Sequence, residues 1–175
     1  MNENNNRNVL KHREDLAGEH KLWDLVQLVL VISFMTVWIL DSFVFQFSLI
    51  PIGNMPGYVL TIIATPLWII AFYMAKTGLH TIFGENRDPP QIVDEGLFAH
   101  TRHPVYLGSL LAYLGCCISS LSVISFAFLL VVFLIYDRFV AFEERLLIGQ
   151  FGERYENYIE KVPRWRFLVK KVEFE

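Results

Sequence analysis

The sequence predicts an all-α integral membrane protein with about four transmembrane helices. The last two form a helical hairpin, followed by a C-terminal cytoplasmic amphipathic helix. Three observations carry this. The 175 residues are 54% hydrophobic and only 19% charged, below the usual quarter. The charges crowd into residues 1–24, 76–103 and 137–175, leaving long apolar blocks between. One of these blocks, Val105 to Tyr136, holds no charged residue in 32 positions. The net charge of −3 is close to neutral and gives no reason to expect a nucleic-acid partner.

Residues 1–21 form a polar, Asn-rich tail without the apolar core or small-residue cleavage site of a signal peptide. A short helical turn near Lys11–Ala17 is the most structure expected there. Residues 22–75 hold two transmembrane helices. The first runs from Leu25 to Phe47, with Trp23 as an interfacial anchor. Asp41 is its only charge. It reads either as an ionisable group on a pathway or as an interfacial residue at a helix end. Ser48 to Gly57, with Pro51, Gly53, Pro56 and Gly57, is an uncharged turn. The second helix follows from Tyr58 to Ala75, with Pro66 expected to kink it.

Residues 76–175 are the expected catalytic part. Lys76 to His103 is the longest polar segment between spans, and Pro89-Pro90 forbids a continuous helix through it. The uncharged block is too long for one span and short for two, so it predicts a tight hairpin turning near Ser119–Ser122. Pro104 suits the first turn of its first helix, where a missing N–H costs nothing. Cys116 and Cys117 are adjacent within this block. They form no disulfide framework and read as small membrane-core residues. From Asp137 to Glu160 the chain is charged. It keeps an apolar stripe of Leu147, Phe151, Tyr155, Tyr158, Ile159 and Val162, at the spacing of an amphipathic surface helix. Gly149 and Gly152 are candidate breaks, Pro163 an end, and Trp165 and Phe167 a return to the interface.

All fifteen Lys and Arg residues lie in the two terminal segments and the 76–103 loop. The short connections 48–57 and 116–122 carry none. The positive-inside rule then places both termini and the long loop in the cytoplasm. On that topology Arg102-His103-Pro104, just before one helix, and Arg138 with Glu143-Glu144, just past its partner, share one membrane face. A helix N-terminus beside Arg102 and His103 suits an anion. The two carboxylates want a cation, which an ammonium, a sulfonium or a neighbouring arginine can supply. Arg138 and Glu143 stand five residues apart, roughly 140° around a helix, so they flank a ligand rather than pair on one stripe. Anion-binding and cation-binding groups at one face suit a zwitterionic, amino-acid-like ligand. The same residues also fit a blander reading, headgroup anchors and a solvated helix face. GxGxxG, GxxxxGK[ST], HExxH and GxSxG are all absent, so these motifs offer no dinucleotide, nucleotide, metal or hydrolase reading.

The ordered stretches Gly96 to Tyr106 (with Arg102-His103-Pro104), Glu143 to Leu147, Phe151 to Tyr158 and Val162-Pro163-Arg164 resemble the isoprenylcysteine carboxyl methyltransferase and phospholipid methyltransferase family. The resemblance covers roughly residues 90–167. It implies methyl transfer from S-adenosylmethionine to a lipid-like or small lipophilic carboxylate, amine or thiol, among membrane lipids and without a metal. It implies a cofactor site of Gly96, Phe98, Arg102, His103, Pro104, Tyr106 and Glu144, and an acceptor site of Arg138 and Glu143. Phe98 stands where the family usually has tyrosine, which removes a hydroxyl contact. The alternatives are an NADPH-dependent enzyme similar to the membrane sterol reductases, for which this chain is short, and a non-catalytic membrane scaffold. A scaffold has no need of both charged clusters at one face.

Overall fold

A computed structural model describes residues 25–53, 56–83 and 91–167. The polar tail with Trp23, and Pro89-Pro90, lie outside these residues. Among the described residues the regular structure is helical: α1 (Leu25–Phe45), α2 (Gly57–Phe83), α3 (Pro104–Ser120), α4 (Val123–Phe151) and α5 (Glu153–Lys161), with a 3₁₀ turn over Gly96–Ala99. The helices α1, α2 and α4 are long and apolar enough to cross a membrane. At 17 residues, α3 sits at the lower edge of the spanning range. The protein is a multi-pass membrane bundle.

Two helices are longer than the hydropathy pattern predicts. α2 does not stop at Ala75 but continues through Lys76 and His80 to Phe83. α4 runs unbroken from the apolar block through Asp137, Arg138 and Glu143-Glu144 to Phe151. The charges end the apolar run without ending the helix, because nothing in either stretch breaks backbone hydrogen bonding. The amphipathic surface helix expected from Asp137 is therefore confined to the nine residues of α5. The break falls at Gly152, at φ +57°, while Gly149 stays inside α4. Pro66 is accommodated within α2.

The core is formed by α1, α3 and α4. Leu30 and Phe34 pack against Tyr113, Cys116, Cys117, Val132 and Tyr136. Both cysteines are buried and free, as the sequence reading expects. Helix α2, whose Trp68 packs against the same core, approaches α3 closely because Gly115 leaves room for that indole. A Cβ there would lie 2.5 Å from the indole Nε1, which itself donates to the Ala112 carbonyl at 3.1 Å. Small residues let helices meet at this distance in a medium with no hydrophobic drive between them.

The hairpin turns at Leu121-Ser122, within the expected stretch. Leu121 takes the left-handed conformation at φ 52°, and Ser122 caps α4 by accepting the Ser125 N–H at 3.0 Å. The turn is tied to α1. Asp41, 4% exposed and inside the π-helical last turn Leu40–Phe45, accepts from Ser122 Oγ at 2.5 Å, Ser48 Oγ at 2.5 Å and Ser48 N at 3.2 Å. So Asp41 lies at a helix end, as one of its two sequence readings has it, and its carboxylate is bonded to serines rather than left open. It clamps the end of the bundle opposite the charged clusters.

Candidate functional site

At the other end, three pieces of chain converge. The loop Gly96–His103 leads into α3. The charged half of α4 stands beside it. The segment Val162–Phe167 folds back across both. Gly96 starts the loop at φ +58°, a conformation that costs a glycine little. The loop is then fixed by bonds to α5 and to the returning segment. Tyr158 Oη donates to the Phe98 carbonyl at 2.7 Å, Arg102 N to the Pro163 carbonyl at 3.1 Å, and Thr101 Oγ1 to the Arg164 carbonyl at 3.0 Å. Burial pushes the Tyr158 hydroxyl well above the ordinary tyrosine range, so it stays a protonated donor. Tyr155, Tyr158 and Val162 form a second small core with Ile92, Leu147 and Phe151.

Glu144 sits at the centre of this convergence, 5% exposed. Its Oε1 lies 3.2 Å from His103 Nε2 and 3.1 Å from Arg102 Nε. The Arg102 contact is an ion pair without an aligned hydrogen bond. The same arginine donates through its terminal guanidinium to the Ile159 carbonyl at 3.3 Å. Arg164 joins them, donating to both Glu144 oxygens and to Asp137 Oδ1, the last at 3.0 Å. Those bonds to Glu144, then the two carboxylate charges, raise the Arg164 guanidinium further above its already high range. Trp165 Nε1 also donates to Asp137, at 2.8 Å. A carboxylate this deeply buried requires such neutralisation.

A half-open cavity of about 230 Å³ lies in front of this cluster. Its wall includes Phe98, Arg102, His103, Pro104, Tyr106 and Glu143, closed by Leu147, Phe151, Tyr155 and Tyr158. Tyr106 stands with its ring centre 6.0 Å from that of His103 and is backed edge-on by Tyr136 at 5.3 Å. Glu143 is the exposed member of the acidic pair, with 43% of its side chain accessible against 6% for Glu144. One of its oxygens, Oε2, is shielded 3.8 Å from His103 Nδ1 and has no hydrogen-bond partner.

The structure thus gathers Phe98, Arg102, His103, Pro104, Tyr106 and Glu143 around one space. Glu144 lies behind the wall, holding Arg102 and His103 in place. Gly96 is exposed and shapes the loop without lining the cavity. Arg138 is exposed on α4 and is not among the lining residues. Arg164 is the residue of this cluster that charge patterning missed. Its signal was present in Val162-Pro163-Arg164, within the stretches that carry the family resemblance. The aromatic rings of Phe98, Tyr106, Tyr155 and Tyr158, with one carboxylate oxygen that has no hydrogen-bond partner, suit this cavity to a cationic ligand.

The family model for phospholipid methyltransferases matches residues 52–154, more than half of the chain. Two curated relatives are similar to it. One is methanethiol S-methyltransferase 1 of Bradyrhizobium diazoefficiens, 28% identical over 58% of this chain and 40% of the relative. The other is the protein-S-isoprenylcysteine O-methyltransferase of Schizosaccharomyces pombe, 31% identical over 48% of this chain and 36% of the relative. The chain thus spans about two fifths of the length of these relatives. A solved eukaryotic intramembrane Ras methyltransferase, an isoprenylcysteine carboxyl methyltransferase, shares the fold. Its TM-score is 0.61, at 20% identity over 79% of this chain and 51% of that one.

Proposed function

The chain belongs to the phospholipid methyltransferase family, and from that premise we propose that it transfers a methyl group from S-adenosylmethionine to a lipophilic acceptor. The observation that carries the proposal is the closure of two sequence-distant clusters, Arg102-His103 and Glu143-Glu144, on one cavity beside a membrane bundle.

The cofactor site comprises Phe98, Arg102, His103, Pro104 and Tyr106. Gly96 shapes the entering loop, and Glu144 fixes the two basic side chains from behind. When bound, S-adenosylmethionine supplies an electrophilic sulfonium methyl. Glu143 and Arg138 belong to the acceptor side. Glu143 reaches into the cavity, whereas Arg138 lies on an exposed face about 7.5 Å along α4, towards the apolar half of the helix, where it meets an acceptor arriving from the lipid. Displacement at a sulfonium methyl depends mainly on positioning and on excluding water. The buried rings of Tyr155 and Tyr158 and the apolar Leu147 and Phe151 serve the second need. The site and both termini face the cytoplasm, on the distribution of Lys and Arg.

Incubating the protein in lipid vesicles with methyl-labelled S-adenosylmethionine tests this. Label should appear in a lipophilic product. Label that stays wholly on the cofactor, across carboxylate, amine and thiol acceptors, rejects the proposal.

A further inference from the structure

The two oxygens of Glu144 are held unequally. Oε1 faces His103 Nε2 at 3.2 Å, Arg102 Nε at 3.1 Å and Arg164 Nε at 3.3 Å. Among the described residues, Oε2 has one hydrogen-bond donor, Arg164 Nη2. The planar fork of Arg164 therefore sets the plane of the carboxylate. Its remaining nitrogen is anchored on Asp137 Oδ1 at 3.0 Å, and Trp165 Nε1 holds the same oxygen at 2.8 Å. The main chain of this returning segment also holds the loop before α3. The Pro163 carbonyl accepts Arg102 N, and the Arg164 carbonyl accepts Thr101 Oγ1. Two consecutive residues thus fix both sides of the contact between His103 and Glu144.

A competing arrangement lies close by. Arg102 Nε is buried 3.1 Å from Oε1 yet makes no hydrogen bond. The terminal torsion of a glutamate is broad and roughly two-fold. Released from Arg164, the carboxylate can turn to satisfy Arg102 and withdraw from His103. An ionised carboxylate only accepts, so the imidazole nitrogen that bonds to it carries a proton. Nε2 is committed to Glu144 in this way. Nδ1 is left on the side of Glu143 and the cavity, 3.8 Å from Glu143 Oε2.

We propose that Arg164 is a positioning residue of the cofactor site: by fixing the Glu144 carboxylate it commits His103 Nε2, and so makes Nδ1 the nitrogen presented to a ligand in the cavity. The identity of that ligand rests on the methyl-transfer reading. Arg164 is not among the lining residues and acts from behind the wall, through Glu144. A lysine cannot replace it, because one ammonium cannot fork onto both Glu144 oxygens and also reach Asp137.

The full chain, ¹⁵N-labelled at histidine and held in detergent without cofactor, tests this by NMR, with the His103 signals assigned from His103→Gln. In wild type, Nε2 should give the signal of a protonated nitrogen bonded to a carboxylate. Arg164→Ala should displace or split that signal. Guanidinium chloride far below its denaturing range should restore it by refilling the vacated place. Arg164→Lys should fold and still show the displaced signal. In calorimetry, both variants should bind S-adenosylmethionine at least about ten-fold more weakly than wild type, the scale of one lost charge-assisted contact. Should Arg164→Ala not fold, the lysine variant carries the same two readings. A residue that only stabilised the fold would lower the unfolding midpoint while leaving the His103 signal and the affinity of the folded protein unchanged; that result overturns the inference. So does full recovery of both in Arg164→Lys. If wild type binds no S-adenosylmethionine, methyl transfer fails, and the His103 signal alone decides the role of Arg164.

Discussion

His103 and Glu144, forty-one residues apart in sequence, meet with His103 Nε2 3.2 Å from Glu144 Oε1. The whole hairpin of α3 and α4 separates them along the chain. Its closure places the loop before α3 against the charged half of α4. Glu144 then gathers Arg102 and Arg164 onto the same carboxylate.

Removing that carboxylate takes the ion pair from buried Arg102 and leaves Arg164 with Asp137 alone. Glu144→Ala is expected to cost about 3–5 kcal/mol, the usual consequence of breaking a buried ion pair from one side. A large fall in the thermal unfolding midpoint in detergent would register it. A midpoint within a degree or two of wild type would show that Glu144 is not the organising charge.

The contact between α2 and α3 has no room for a side chain at residue 115. Gly115→Leu should displace Trp68, break its bond to the Ala112 carbonyl and destabilise by about 1–3 kcal/mol. Tryptophan fluorescence should report the displaced indole. An unchanged spectrum together with unchanged stability would contradict the packing.

Asp41 secures the opposite end of the bundle. Asp41→Ala strands the donors of Ser48 and Ser122, at about 1–3 kcal/mol for unsatisfied buried groups. Stability should fall while cofactor affinity, measured by calorimetry, stays unchanged. Loss of cofactor binding at native-like stability would make Asp41 part of the site.

The orientation rests on charge counting and is open to a direct check. A reporter fused after Glu175 should read cytoplasmic, as should one inserted between Gly84 and Pro90. Signals on opposite sides of the membrane would overturn the span count.

Much of this was legible in the sequence because hydropathy and charge carry it. The uncharged block gives the hairpin, and the Ser-rich stretch gives its turn. Arg102-His103 and Glu143-Glu144 mark the two stretches that the fold brings together at one cavity. Helix length was less legible. Lys76 and Asp137 change the polarity of the chain without disturbing its backbone bonds, so α2 and α4 run further than their apolar segments. Arg164 escaped charge patterning because it acts from a segment that folds back, and a long-range return has no local periodicity. Arg138 and Glu143, expected from their helical angle to flank a ligand, do not share one space. That angle puts Glu143 in the cavity wall and leaves Arg138 outside it.

The central claim is that the two charged clusters form one cofactor site. Calorimetric titration of the detergent-solubilised protein with S-adenosylmethionine tests it most directly, run on wild type, His103→Ala and Arg138→Ala, with NADPH as control. Wild type should bind S-adenosylmethionine and not NADPH. His103→Ala should bind at least about ten-fold more weakly, the scale of one lost charged contact, and Arg138→Ala should bind like wild type while turning over more slowly. No binding by wild type, or equal binding and turnover by all three proteins, would contradict the claim.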